Sequence, residues 1–384
     1  MHSPLVLPAQ QAQNLSYLDL VNACNNGRIR DPSPVPREVD AEEPIPLCLS
    51  DDPTSPIVGL LRPQIVDLLA AENDVALSKG QPALWHGIPI TDPNTQPRIS
   101  FPPSINTHSM REMCERWSQT GLFASIIGPK KWRDELYAVY RDPFGVHDYP
   151  QANDSEDSLN FAFETERAAC ALFGIVTYSV NMNMYQEYEN SAGKRSLKIW
   201  IPTRAKTKSQ WPGFLDNTVA GGIPSRISML DALIKECGEE AKLDEELCRR
   251  HLRPVGCVSY LFRTDQGWLQ PEVEYIYDFR IPPTTDPTST PFKPEVLDGE
   301  VEFFQASISS LTDVISPQSH GPYPPQLMHK PQIDAALRAG RVKPNCAIVL
   351  VDLFIRLGYI TPDNEPDYLR IVTGLHGGFD YERW

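Results

Sequence analysis

The sequence has little of what marks several large classes of protein. No C-x-x-C pair occurs among its eight cysteines, so neither a zinc site nor a disulfide framework is suggested, and a reducing compartment is the simplest reading. Positive charge is short: 35 Lys and Arg stand against 50 Asp and Glu, a net charge of -15. That balance argues against unaided binding to nucleic acid or to an anionic membrane. The first residues, MHSPLVLPAQQAQNLSYLDL, lack the basic start and apolar run of a secretory signal and the arginines of a mitochondrial presequence. The longest apolar run, Cys346 to Ile355, is too short to cross a bilayer, contains Asp352, and reads as a buried helix. No internal repeat is visible. A cytoplasmic location is expected, with the nucleus left open.

What is present fits an ordinary globular protein. A chain of 384 residues, 41% hydrophobic, can bury a sizeable core and is expected to hold two domains. The 37 prolines are uneven. Residues 31–56 read as an irregular Pro-rich segment, 91–104 and 282–294 as loops, and 149–158 as a surface insertion. Residues 1–173 are expected to form a smaller α+β domain. Its helices fall at Leu18–Asn25, Ser109–Gln119 and Glu164–Phe173, its strand-turn-helix at Ile57–Glu72, and a strand runs from Trp132 through Tyr140. In residues 174–384 the pattern switches to period two. Val176, Tyr178, Val180, Met182 and Met184 alternate with Thr177, Ser179, Asn181 and Asn183, giving a strand with one apolar face. Further strands are expected around Leu197–Ile201 and at Cys257–Arg263, Val273–Ile281 and Glu300–Gln305, with closing helices at Ile333–Ala339 and Ala347–Leu357. The fold class is therefore α/β, a mixed sheet with helices on both faces.

The most informative stretch is residues 221–243, GGIPSRISMLDALIKECGEEAKL. Ser228 is placed to cap a helix, with Asp231 three residues on. Leu230, Leu233, Ile234, Cys237 and Ala241 form an apolar stripe at helical spacing. Glu236, Glu239 and Glu240 are neighbours on another face. Three such carboxylates repel one another, and a hard divalent cation would relieve that and use their oxygens. The plain alternative is a solvated acidic face. Gly221 and Gly222 favour the first reading, because glycine lets backbone approach a ligand and a loop-to-helix junction presents N–H groups to phosphate.

Gly-Gly, a short loop, a capped helix and K-E-x-x-E-E resemble the signature of the Nudix hydrolases, which hydrolyse diphosphates linked to another group. The match departs from the usual pattern in four ways. Lys235 replaces Arg, the glycine-to-Glu236 spacing is one residue short, Ser228 or Met229 replaces an early Glu, and a Gly near Lys242 is absent. The flanking motifs are Trp211-Pro212-Gly213-Phe214-Leu215-Asp216-Asn217, Asp298-Gly299-Glu300-Val301-Glu302, Lys343-Pro344-Asn345 and Asp352 to Gly358. In the N-terminal half they are Trp132 to Tyr137, Glu166-Arg167-Ala168-Ala169 and Phe173-Gly174-Ile175. As a set, over roughly residues 55–375, they look like one Nudix subfamily of fungi and plants. It is related to the part that precedes thiamine pyrophosphokinase in some fusion proteins, and it shares the shortened spacing and the Lys.

That resemblance implies a Nudix α/β/α sandwich and magnesium-dependent hydrolysis of thiamine diphosphate and its damaged analogues to the monophosphate. The cofactor implied is Mg2+, with Mn2+ as a substitute. Glu236, Glu239 and Glu240 become the metal ligands, and Glu239 the residue that orients or deprotonates water. Glu300 is a further candidate ligand or base, and Glu302 a weaker one; both otherwise read as an exposed strand end. Gly221, Gly222, Lys235 and Trp211 become substrate-side residues, although Lys235 equally reads as a surface partner of Asp231 or Glu239. Arg226 stands where relatives often have glycine and either meets phosphate or points to solvent. Trp200, Phe214 and Tyr185 join Trp211 as candidates for a ring slot or for core. The run Ser179-Val180-Asn181-Met182-Asn183-Met184-Tyr185 departs from the family's G-V-H-x-N-G-Y, which leaves ring recognition open. The partner expected is a small-molecule diphosphate, with no nucleic acid and no membrane. Two other readings stand beside this one: a Nudix hydrolase for a nucleoside diphosphate derivative or dinucleotide, and a non-catalytic Nudix-fold binding module.

Overall fold

A computed structural model describes residues 14–27, 42–52, 54–83, 85–88, 98–100, 107–151, 159–208, 210–295, 301–302 and 326–379. Helix α1 (Tyr17–Cys24) opens with a capping box: Ser16 accepts from the Asp19 N–H, and the Asp19 carboxylate accepts from the Ser16 N–H at 2.8 Å. Strands β1 (Ile45–Cys48), β2 (Ile57–Leu61), β3 (His86–Ile88) and β4 (Arg98–Ser100) form a four-stranded sheet in the order β2-β1-β4-β3. Between β2 and β3 runs α2 (Pro63–Ser78), with proline in its first position, where no backbone donor is lost. Helices α3 (Thr107–Gln119) and α4 (Ala124–Ile127) follow. Leu47, Leu61, Ile65, Met110, Trp117 and Phe173 bury a common core here.

Strands β5 (Leu136–Tyr140) and β6 (Phe161–Glu166) pair antiparallel. The helix expected over Glu164–Phe173 is thus partly wrong. Glu164, Thr165 and Glu166 lie in β6, Arg167–Ala169 make a 3-10 turn, and only α5 (Cys170–Phe173) is α-helical, ended by Gly174 at φ 56°. Pairing with β5 overrides the helix-forming tendency of the glutamates. The strand expected from Trp132 starts instead at Leu136, because Asp134 takes a left-handed φ of 55°.

From Thr177 a larger mixed sheet is built. Its strands are β7 (Thr177–Glu189), β8 (Arg195–Ile201), β10 (Val219–Gly222), β11 (Leu252–Arg263), β12 (Leu269–Arg280) and β14 (Gln326–His329). A separate ribbon pairs β9 (Thr203–Arg204) with β13 (Val301–Glu302). The order is β11-β12-β7-β8-β14, with β10 against the first part of β7; β12 runs parallel to β7 and the other pairs are antiparallel. On one face α6 (Met229–Ala241) and α7 (Glu245–His251) pack on Val180, Met182, Met184 and Phe279. On the other, α8 (Lys330–Arg338), α9 (Pro344–Arg356) and α10 (Tyr368–Leu375) pack on Leu197, Ile199 and Ile276, and α1 joins them through Leu20, Val21 and Cys24. This is the mixed α/β arrangement expected. The Cys346 to Ile355 run is indeed a buried helix, and no helix among the described residues is long and apolar enough to cross a membrane.

The outer edge of β11 is covered from both directions. After α1, Asn25 and Asn26 side chains accept from Leu261 N–H (3.1 Å) and Arg263 N–H (2.6 Å), and Gly27 N–H donates to the Leu261 carbonyl at 2.8 Å. After α10, His376 bridges beside Ser259, whose hydroxyl donates to the Gly377 carbonyl at 2.7 Å.

Candidate active site

The site is built around α6. Ser228 caps it as expected, accepting from the Asp231 N–H at 3.1 Å, and Leu233, Cys237 and Ala241 seat it on the sheet. The next strand neighbour is β10, and there the sequence expectation needs correcting. Gly221 and Gly222 are strand residues paired with Val180 and Ser179, not a loop. Their need for glycine is steric. A Cβ on Gly221 would lie 2.4 Å from the Glu236 side chain, and a Cβ on Gly222 would lie 1.5 Å from the Tyr137 hydroxyl. Glycine here lets a carboxylate and a phenol close onto bare backbone.

The glutamates of α6 have three different surroundings. Glu240 is only 6% exposed and accepts from the Ala220 N–H at 3.2 Å. Burial, with Asp216 and Glu236 nearby, pushes its carboxyl well above the usual carboxylate range. Glu236 is pressed against Gly221, its carboxylate 3.6 Å from the Lys235 ammonium. Glu239 is half exposed and held by Lys235 at 2.6 Å. Lys235 thus takes the surface pairing with Glu239. Among the described residues, no group of three or more His, Cys, Asp or Glu is placed to hold a metal ion, so the three glutamates do not form a closed cage. Glu236 and Glu240 bring two carboxyl groups to one stretch of the cavity wall, and magnesium is commonly held by one or two carboxylates plus water and substrate phosphate. The donor set fits such an open site.

A cavity of about 720 Å3 opens beside these glutamates. Gly221, Gly222, Lys235, Glu236, Glu239, Glu240 and Trp211 all line it. Trp211 packs edge-on to Phe214 at 5.0 Å, whereas Trp200 and Tyr185 are buried side chains off the cavity wall. Glu300 lies outside the described residues; Glu302 is in β13. The sequence did not single out several cavity cations for this role. Arg204 reaches Asp216 at 2.5 Å, and Lys343 lines the wall next to Asn345. Burial disfavours charge on Lys343, but Cys346, Asp216 and Glu274 more than offset it and raise its pKa. Burial likewise opposes charge on Asp216, yet Lys343 and Arg204 hold its pKa below the usual value.

The N-terminal half forms part of this wall. Lys131, Arg133, Tyr137 and Arg167 line the cavity. Arg167 sits 5.2 Å over the Tyr137 ring and pairs with Glu135 at 2.8 Å. Arg226 does not line the cavity: at φ 68° it points to Glu164 of β6 (2.7 Å), which also accepts from Ser225 at 2.6 Å. A left-handed φ is one that glycine adopts without strain and arginine rarely does. The signal for Arg133, Arg167, Lys343 and Asn345 was present in their motifs, but only the fold shows that they share one cavity.

No family model matches this chain. It is 34% identical over 267 residues to an uncharacterized protein of Saccharomyces cerevisiae, covering 66% of this chain and 64% of that one. It is 36% identical over 214 residues to Nudix hydrolase 20, chloroplastic, of Arabidopsis thaliana, covering 56% of this chain and 48% of that one. Nudix hydrolase 24, chloroplastic, of the same plant is 32% identical over 217 residues, covering 56% and 50%. The chain thus spans between about half and two thirds of the length of the curated relatives it matches. Among solved structures, a MutT/nudix family protein from Enterococcus faecalis aligns with TM-score 0.28 at 14% identity over 51% of this chain and 67% of that one. A Nudix hydrolase from M. smegmatis aligns with TM-score 0.27 at 13% identity over 47% and 86%. This chain is thus similar in sequence to two plant proteins named as Nudix hydrolases.

Proposed function

We propose that this protein is a magnesium-dependent Nudix hydrolase that converts thiamine diphosphate and its damaged analogues to the monophosphate plus phosphate. The hydrolase part is carried by one observation: the α6 glutamates and the cations Arg204, Arg167 and Lys343 meet on a single cavity. The choice of thiamine diphosphate rests on the resemblance of the flanking motifs. In this reading Glu236 and Glu240 hold magnesium, with Glu239 completing the set. Magnesium, when bound, neutralises charge on the phosphoryl oxygens.

The protein's own groups do the rest. Arg204, Lys343 and Arg167 offset the diphosphate charge and position it. Glu239, released from Lys235, orients a water and takes its proton. The water oxygen bonds to the terminal phosphorus, the bond to the bridging oxygen breaks, and the two products are the monophosphate and inorganic phosphate. Residues 1–173 and 174–384 act as two units in this proposal, the first lending Arg133, Tyr137 and Arg167 to the second. Glu300 is kept as a candidate base.

Phosphate release measured across a panel of thiamine diphosphate, ADP-ribose and NADH, with magnesium and with chelator, tests this. Thiamine diphosphate is expected to be turned over best, chelation to abolish turnover, and Glu239→Gln to lower it at least about tenfold, as loss of a proton-transfer group does. Faster turnover of ADP-ribose or NADH would sink the thiamine assignment. An unchanged rate in Glu239→Gln would sink the role of that residue.

A further inference from the structure

The cavity has a second pole, away from the glutamate helix and opposite in chemistry. Its floor is the polar side of β7, with Thr177, Ser179 and Asn181, joined by Glu272 of the neighbouring β12. Tyr260 and Phe262 of β11 supply aromatic rings to the same wall. Beneath them Glu274 is 0% exposed. Its Oε1 accepts from the Tyr260 hydroxyl at 2.9 Å and the Asn345 amide at 2.6 Å, while its Oε2 has no partner among the described residues. The Tyr260 hydroxyl also lies within hydrogen-bond reach of Glu272, so its single proton is shared between the two carboxyl groups. Asn181 is 1% exposed, and its Oδ1 has no partner among the described residues either.

Beside the Lys343 ammonium and the Thr177 and Ser179 hydroxyls, this stretch of wall presents the Glu272 carboxylate and the Asn181 Oδ1 as acceptors. Buried acceptors are ordinarily satisfied, so the Asn181 Oδ1, which lies on the cavity wall with no partner among the described residues, calls for a donor from a bound molecule. A diphosphate is the wrong occupant beside Glu272, whose carboxylate would repel it. The group wanted carries N–H donors, carries or tolerates positive charge, and has a flat face to lie on Tyr260 and Phe262.

We propose that this pole seats the ring half of the substrate, an amino-bearing, positively charged heteroaromatic ring that donates to Glu272 and to Asn181 Oδ1. The proposal rests on the diphosphate-hydrolase reading for which end of the substrate lies where. It is tested with a probe that carries no phosphate. Thiamine itself, titrated calorimetrically into the full chain without magnesium, is expected to bind wild type. Glu272→Gln, isosteric but uncharged, is expected to bind it about tenfold more weakly, the usual loss for a charge-assisted hydrogen bond. Glu272→Asp, which keeps the charge, is expected to recover part of that. Circular dichroism checks that each variant folds; should Glu272→Gln not fold, Phe262→Leu is measured instead and must also weaken binding. Equal binding by wild type and Glu272→Gln, or no binding of thiamine to wild type, overturns the proposal. If the binding difference holds while thiamine diphosphate is not hydrolysed, the ring seat stands and the substrate assignment falls.

Discussion

At the scale of single residues, what matters most at this site is what is missing from a side chain. Gly221 and Gly222 leave room for Glu236 and the Tyr137 hydroxyl, so each glycine is fixed by a partner on another element, and that of Gly222 lies far away in sequence. Neither has a left-handed φ, so the conformational argument usually made for glycine does not apply. The pair was legible as important, but its reason was not, because Tyr137 lies in the other half of the chain. Gly222→Ala is expected to destabilise the protein by about 1–3 kcal/mol, as overpacking does. Adding Tyr137→Phe, which removes the clashing oxygen, is expected to restore part of that. Chemical denaturation of the two single variants and the double variant measures the coupling, and strict additivity would contradict the contact.

At the scale of elements, α6 was readable almost whole: Ser228 as cap, and Leu233, Cys237 and Ala241 as the buried stripe. A helix announces itself through local spacing. The segment 164–173 was not readable, because β6 exists only through its pairing with β5. The polar side of β7 was read correctly as a face and incompletely as a place: alternation shows that Thr177, Ser179 and Asn181 point away from the core, but not that other elements close a cavity over them. Strand β12 carries a consequence for pH. Burial, then the charge of Glu272, pushes the Glu274 carboxyl from 4.5 up to about 7. A raised folded pKa means that the unfolded chain releases this proton first. Glu274 therefore costs nothing below pH 4.5, and its penalty grows as pH rises from 4.5 to about 7, remaining constant above. Glu274→Gln removes that penalty. The stability of Glu274→Gln minus that of wild type is expected to be larger at pH 8 than at pH 5, by at most about 3 kcal/mol. Urea melts at both pH values decide this; a pH-independent gap refutes the burial argument.

At the scale of the whole molecule, one of the contacts between the N-terminal half and the rest is a small polar latch at the turn before α6. Glu164 of β6 takes hydrogen bonds from Ser225 and Arg226 in the turn before α6, while the Ser225 N–H donates to the Leu136 carbonyl at 2.8 Å. Glu164 is buried and Arg226 mostly exposed, so the two partners are unequal. Arg226→Ala removes one exposed contact and is expected to cost under about 1 kcal/mol. Glu164→Ala frees both Ser225 and Arg226, loosens the entry to α6, and is expected to cost about 1–3 kcal/mol with a lower kcat for diphosphate hydrolysis. Melting temperatures and steady-state rates of the two variants compare them, and equal effects would show that the latch does not tie the halves. Little of this was visible in sequence. Composition and period gave the mixed α/β class, yet a cavity shared by residues as distant as Arg133 and Lys343 requires the closed fold.

The covered margin of β11 bears on how this protein behaves in a crowded solution. A strand at the rim of a sheet offers its amides as a template for any other extended chain. Here two asparagine side chains and Gly27 occupy the Leu261 and Arg263 positions, and the segment after α10 occupies those near Ser259. These two segments thus act as built-in caps that keep the sheet from growing at this edge by recruitment of neighbours. Loss of either cap would convert a finished sheet into one able to add strands from other molecules.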